Sequence, residues 1–229
     1  MAPLLLLPGL SNTPELWDEV RAALPVGIAS TALENPAIED IDAIAAGILA
    51  KAPPRFALAG FSFGGYVALA IAAQAMNRIE RLALIATGSN ADSPEAAASR
   101  KRLIEIARTD YESVDARMTK FLLHPERVED PGIHEKRLRM SRDYGAARFI
   151  AQQRAAMARP TRESVLASIR VPTLIAVGRE DRITPLAQHE EMARRVPAAE
   201  LVVFERCGHL APLEAPVALA RALTNWMTQ

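Results

Sequence analysis

The 229-residue sequence predicts an α/β fold, a mostly parallel sheet of about six strands flanked by helices and interrupted by a helical insertion. Three observations predict it. Short, nearly continuous apolar runs recur at 4–7, 27–33, 56–60, 82–86, 171–177 and 201–204. Continuous rather than alternating hydrophobicity marks strands covered on both faces, as in a parallel sheet between helical layers. Helical patterns separate the runs, and one long stretch, 90–160, carries helical periodicity with no strand.

The elements follow in order. After the run 4–7, Asn12 and Thr13 precede Pro14, a good first-turn residue, and Leu16, Trp17, Val20, Ala23 and Leu24 continue with helical spacing. Trp17 is expected in the core on that helix face. Ile38, Ile41, Ile44, Ala45 and Ile48 form a second stripe, ended by Pro53 and Pro54. The run 56–60 leads through a glycine-rich turn into a helix over 66–74. In the insertion, Ser93-Pro94-Glu95 is a helix start, and Leu103, Ile104, Ile106 and Ala107, then Phe149, Ile150 and Arg154, have helical spacing. A last helix is expected over 216–226. The domain reading is a core of 1–89 and 161–229 with a cap of 90–160. A solvated helical pair is the plain reading of the cap, but its departure from the same side of the sheet as the glycine-rich turn after 56–60 favours a lid.

Composition narrows the function classes. Acidic and basic residues number 27 each, so no global charge points to nucleic acid or an anionic membrane as partner. The single cysteine, Cys207, excludes an internal disulfide framework and fits a reducing compartment. The apolar run 4–7 is too short for a signal-peptide core and no basic segment precedes it. No stretch approaches the roughly 20 apolar residues of a membrane span. A cytoplasmic location is expected.

The turn Gly60-Phe61-Ser62-Phe63-Gly64-Gly65 lies between a strand and a helix. Small residues at Gly60 and Gly64 let the segments approach in so tight a turn, which exposes the Ser62 hydroxyl at a helix N-terminus. A serine hydroxyl needs a base of near-neutral pKa, and His209, after the run 201–204, is placed to be that base. His124 and His134 fall in the insertion, and His189 is expected on the solvated face of the helix after Pro185. Two acids, Glu180 and Asp181, follow the run 171–177; a solvated turn acid paired with Arg179 or Arg182 is the plain alternative for either. Cys207 is a packing residue rather than a second nucleophile.

The order Ser62, Asp181, His209, with the G-x-S-x-G turn, resembles the α/β-hydrolase family over essentially the whole chain. The loop from Gly178 to Pro185 is similar to that family's G-x-x-D-x-x-x-P loop, whose register makes Asp181 the acid that orients the histidine. By the same resemblance the main-chain amides of Leu10 and Phe63 are oxyanion donors, although Pro8 stands where the family often has a histidine. Ser11 could add a hydroxyl donor there. The resemblance also implies an α/β-hydrolase sheet lacking the first two strands. The strand 27–33 then becomes an edge that a loop or a second copy of the chain could cover.

The expected activity is acyl transfer on a small-molecule carboxylic ester or thioester, without metal or organic cofactor, since there is no ligand-spaced cluster and no nucleotide-binding glycine fingerprint. Leu10, Phe61 and Phe63 predict an apolar entrance, with Leu10 and Phe61 touching substrate. An excess of Arg and Lys in the insertion could meet an anionic substrate or a carrier protein, or could be a solvated face. Carbon–carbon bond hydrolysis and a non-catalytic ligand-binding or signalling role on the same scaffold are the alternatives.

Overall fold

The computed structural model describes every residue except Ala198, and of Asp115 only the backbone. Strands β1 (Leu4–Leu7), β2 (Ser30–Ala32), β3 (Phe56–Phe61), β4 (Ile79–Ile85), β5 (Thr173–Gly178) and β6 (Ala199–Phe204) form one sheet in the order β2-β1-β3-β4-β5-β6. Every neighbouring pair is parallel. All six strands therefore end on one edge, where an open α/β sheet presents its ligand crevice.

Helices α1 (Asp18–Ala22), α2 (Ile41–Leu49) and α3 (Phe63–Ala75) alternate with the first four strands. Between β4 and β5 lie α4 (Pro94–Thr109), α5 (Tyr111–Leu122), α6 (Pro131–Tyr144), α7 (Ala146–Ala158) and α8 (Glu163–Ser168). Helix α9 (Leu186–Arg195) joins β5 to β6, and α10 (Ala211–Glu214) and α11 (Pro216–Thr228) close the chain. None of the described helices is long and apolar enough to cross a membrane.

The apolar runs are continuous because each strand feeds two cores. Leu4 and Leu6 of β1 pack with Trp17, Phe61, Ala176 and Trp226 on one face of the sheet. Leu5 and Leu7 pack with Ile44, Leu58, Ile71 and Met192 on the other. Side chains alternate between faces with a period of two, so a strand buried on both sides has no position left for a polar residue. Burying one such side chain is worth about 1.5–3 kcal/mol. Trp17 is fully buried, as its helical spacing requires. A third, smaller cluster of Ala107, Val114, Tyr144 and Phe149 lies entirely within α4 to α7.

Element boundaries differ from the sequence reading where hydrogen bonding overrides hydrophobicity. The run 27–33 contributes only β2, because a turn (Ile28 N–H to the Pro25 carbonyl, 2.9 Å) occupies its start. Ile38 lies outside α2 and is exposed. The carboxylate of Asp40 accepts from the Asp42 and Ala43 amides at 2.7 and 3.0 Å, and that N-cap starts the helix after it. Helix α3 begins three residues earlier than periodicity suggests, directly after Ser62. The outer edge of β2 is three residues long and is crossed by Arg21, which donates to the Ser30 carbonyl and hydroxyl. A second copy of the chain on that edge is a proposal, one that Arg21 would have to accommodate.

Candidate active site

Ser62 sits between β3 and α3 with φ +51° and ψ −115°, a conformation that costs about 1–3 kcal/mol and is held only by its surroundings. The surroundings are crowded. A Cβ on Gly64 would stand 2.4 Å from the Leu7 carbonyl oxygen, and one on Gly60 2.4 Å from that of Gly64. Only glycine fits at either place, so the chain can turn from strand to helix in one residue and leave the serine side chain outside.

The loops after β5 and β6 bring two more predicted residues to it. His209 Nε2 is 3.0 Å from Ser62 Oγ, and His209 Nδ1 is 2.8 Å from Asp181 Oδ2. Asp181 is buried within its own turn. Its Oδ1 accepts from the Ile183 and Thr184 amides at 2.8 and 2.9 Å, and its Oδ2 from the Thr184 hydroxyl at 2.7 Å. Burial works to raise the pKa of this carboxyl. The His209 imidazole and the Thr184 donors outweigh it and hold the group below its ordinary value. Glu180 faces elsewhere: its Oε2 accepts from the Cys207 amide at 2.9 Å. Cys207 is fully buried, and burial foremost, then the Glu214 carboxylate, pushes its thiol pKa well up, which leaves a packing role.

The loop after β1 runs close to this turn, with the Leu7 and Pro8 carbonyls against Gly64. The amides of Leu10 and Phe63 have no hydrogen-bond partner among the described residues, and Phe63 is the first residue of α3. With Pro8 in place of a histidine, the loop is braced from another direction. Asn35, buried, donates from Nδ2 to the Pro8 carbonyl at 2.8 Å. Gln152 of α7 in turn donates to the Asn35 and Pro36 carbonyls at 2.8 and 2.9 Å. Ser11 accepts from the Tyr111 hydroxyl of α5 at 3.2 Å.

Ser62 and His209 open into a cavity of about 130 Å³ roofed by α4 to α7. Leu10 and Phe61, two of the three residues expected at the entrance, line it together with Met118 and Phe149. Phe61 also packs against the His209 ring, centroids 5.2 Å apart. Phe63 departs from expectation: as the first residue of a buried helix it turns its side chain into the core beside Leu58 and Val67 and takes no part in the entrance.

His189 is a second departure. It is fully buried, not solvated. Its Nε2 accepts from the Thr87 amide at 3.0 Å, its Nδ1 lies 3.2 Å from the Pro185 carbonyl, and the Thr87 hydroxyl donates to the Ser62 carbonyl at 2.8 Å. Spacing held the signal, since His189 and Met192, three residues apart, share one face of α9 and both are buried. Glu214 was missed too. Its carboxylate accepts from the amides of Gly208 and Leu210, which flank His209, and of His124. The sequence signal was a lone acid in the apolar run 210–216. Among the described residues no three His, Cys, Asp or Glu side chains gather as a metal site would require.

Comparison with known proteins agrees with this fold. A profile of the Alpha/beta hydrolase family matches residues 4–222. A pimeloyl-[acyl-carrier protein] methyl ester esterase of Neisseria meningitidis serogroup B is 29% identical, over 94% of this chain and 90% of that protein. A 2-hydroxymuconate semialdehyde hydrolase of Pseudomonas putida is 27% identical, over 75% of this chain and 62% of that protein. A malate-bound thermophilic esterase from Thermogutta terrifontis superposes with a TM-score of 0.89 at 27% identity, covering 100% of this chain and 90% of that one.

Proposed function

The chain belongs to the alpha/beta hydrolase family and is a hydrolase, and from that premise we propose that it cleaves a carboxylic ester or thioester of a small to medium, partly apolar substrate through a Ser62 acyl-enzyme. The observation that carries the reading is the unbroken hydrogen-bond chain from Ser62 through His209 to Asp181 at the floor of an apolar cavity. Esterases among the relatives and solved structures support it.

The steps follow from the atoms in place. Ser62 Oγ attacks the substrate carbonyl as its proton passes to His209 Nε2. Asp181 fixes the Nδ1–H tautomer and stabilises the imidazolium without taking the proton. The amides of Leu10 and Phe63 donate to the oxyanion of the tetrahedral intermediate. His209 returns the proton to the departing alcohol or thiol, and the acyl group stays on Ser62. A water then gives its proton to His209 and attacks the acyl carbon. Collapse releases the acid, and the proton returns to Ser62 Oγ. The helices over the cavity act as a lid that limits access of water, a role for 90–160 that rests on their position.

A fluorophosphonate probe tests the nucleophile. Wild type should label and Ser62→Ala should not, while Asp181→Asn should lower kcat on p-nitrophenyl esters by roughly 10³–10⁴-fold. Absence of labelling in folded wild-type protein would transfer the scaffold to a binding or signalling role. Likeness to the semialdehyde hydrolase supports a second reading, carbon–carbon hydrolysis. Labelling with a flat response across p-nitrophenyl esters of increasing acyl length would select it.

A further inference from the structure

The cavity above Ser62 is apolar over most of its wall but not electrically neutral. Two guanidinium groups, Arg100 and Arg137, line it, and among the described residues no aspartate or glutamate does. Arg137 has partners of its own, the Thr119 hydroxyl at 2.6 Å among them. Arg100, on α4, stands differently. Its Nε donates to Asp92 Oδ2 at 2.6 Å and its Nη1 to Gln153 Oε1 at 2.7 Å, while Nη2 has no partner among the described residues. Asp92 is shared. Its other oxygen, Oδ1, accepts from Arg159 Nη1 at 2.6 Å, and Asp92 and Arg159 are both nearly buried. Arg159 lies over the Tyr66 ring at 3.9 Å, and its Nε has no hydrogen-bond partner among the described residues.

Two cations therefore share one carboxylate in a mostly dry place, leaving one positive charge uncompensated next to the cavity. Such a charge is costly when unpaired and is balanced by an anion that arrives with its own acceptors. A carboxylate suits the vacant edge of Arg100, because a guanidinium presents donors in a planar fork of matching geometry. Asp92 and Gln153 hold the Arg100 side chain in place beforehand, so little rotamer freedom is lost on binding.

We propose that Arg100 is a specificity-determining residue, selecting substrates that carry a carboxylate at the end remote from the scissile carbonyl, such as half-esters of short dicarboxylic acids. The proposal deepens the ester-hydrolase reading and rests on it for the word substrate. The anion site itself can be tested apart from turnover. A cavity of about 130 Å³ limits the acid to a short one.

Two measurements separate the site from the reaction. In calorimetry, the Ser62→Ala protein should bind the monoamide of adipic acid at least tenfold more tightly than the neutral diamide. Adding Arg100→Met should abolish that difference, and Arg100→Lys should restore part of it by returning the charge without the fork. In turnover, kcat/KM on monomethyl adipate should exceed that on the dimethyl ester. Arg100→Met should erase the preference, about 10- to 100-fold and carried by KM. Thermal melts establish that each variant is folded. Equal binding of monoamide and diamide by the parent, or a preference that survives Arg100→Met in a folded protein, overturns the anion site. Selective binding lost in Arg100→Met, with no ester cleaved by wild type, keeps the site and rejects the ester reading.

Discussion

Burial pushes the His189 pKa down to about 4, and the neutral ring that results is the form the structure uses. With the proton on Nδ1 it donates to the Pro185 carbonyl and accepts the Thr87 amide at Nε2. The unfolded chain takes up a proton near the ordinary 6.5, whereas the folded chain resists it until about 4. Stability from this residue is therefore complete above pH 6.5 and declines as pH falls toward 4. At about 1.4 kcal/mol for each pH unit between those two values, the loss reaches about 3 kcal/mol. Urea unfolding at pH 7 and pH 5 should show wild type losing more than His189→Gln, which offers Thr87 an acceptor but does not titrate. Equal losses would mean that the ring is not desolvated. The same residue marks a limit of sequence reading, for the polar identity of His189 suggested solvent while its place on the Met192 face of α9 decided burial.

At the scale of elements, the loop between β6 and α10 is held by groups outside it. The His209 and Leu210 amides donate to the Leu122 carbonyl at the end of α5, at 2.8 and 3.3 Å. Glu214 ties the Gly208, Leu210 and His124 amides to one carboxylate. Burial raises the pKa of this carboxyl, and the three amides work against that rise. Glu214→Gln replaces one acceptor oxygen with a donor that must face an N–H. It should cost about 1–3 kcal/mol of stability in denaturant melts. It should also lower kcat about tenfold with KM nearly unchanged, because it displaces the imidazole and not the cavity wall; an unaltered kcat would remove Glu214 from the positioning of His209. The strand-to-helix turn at Ser62 was legible because glycine spacing records steric crowding directly. The brace at Glu214 was not, because its three partners are backbone amides, two of them on the histidine loop and one from the insertion, 90 residues away.

For the molecule as a whole, the basic excess of the insertion finds its explanation in pairs that cross to the core. Lys136 pairs with Glu19, Arg139 with Glu15, Arg148 with Glu34 and Arg154 with Glu39. The acids all lie between residues 15 and 39, so the pairs form one seam along α6 and α7. Each half-exposed pair is worth about 0–1 kcal/mol and is screened by salt. Hydrogen exchange at 1 M salt should therefore accelerate in α6 and α7 relative to 0.05 M while the amides of β3 and β4 are unchanged. Uniform behaviour of sheet and insertion would mean that the seam does not hold the insertion.

The sequence by itself determined the layered α/β architecture, the order of Ser62, Asp181 and His209 and the loops that bear them. These are local matters: a strand covered on both faces is apolar throughout, and a tight turn excludes every side chain but hydrogen. Tertiary structure alone decided what surrounds them. Asn35 braces the loop at Pro8, His189 and Thr87 stand behind Ser62, Glu214 steadies His209, and Arg100 and Arg159 share Asp92 beside the cavity. Each of these depends on a polar group meeting a partner from a distant segment, and hydrophobic periodicity carries no record of which partner that will be.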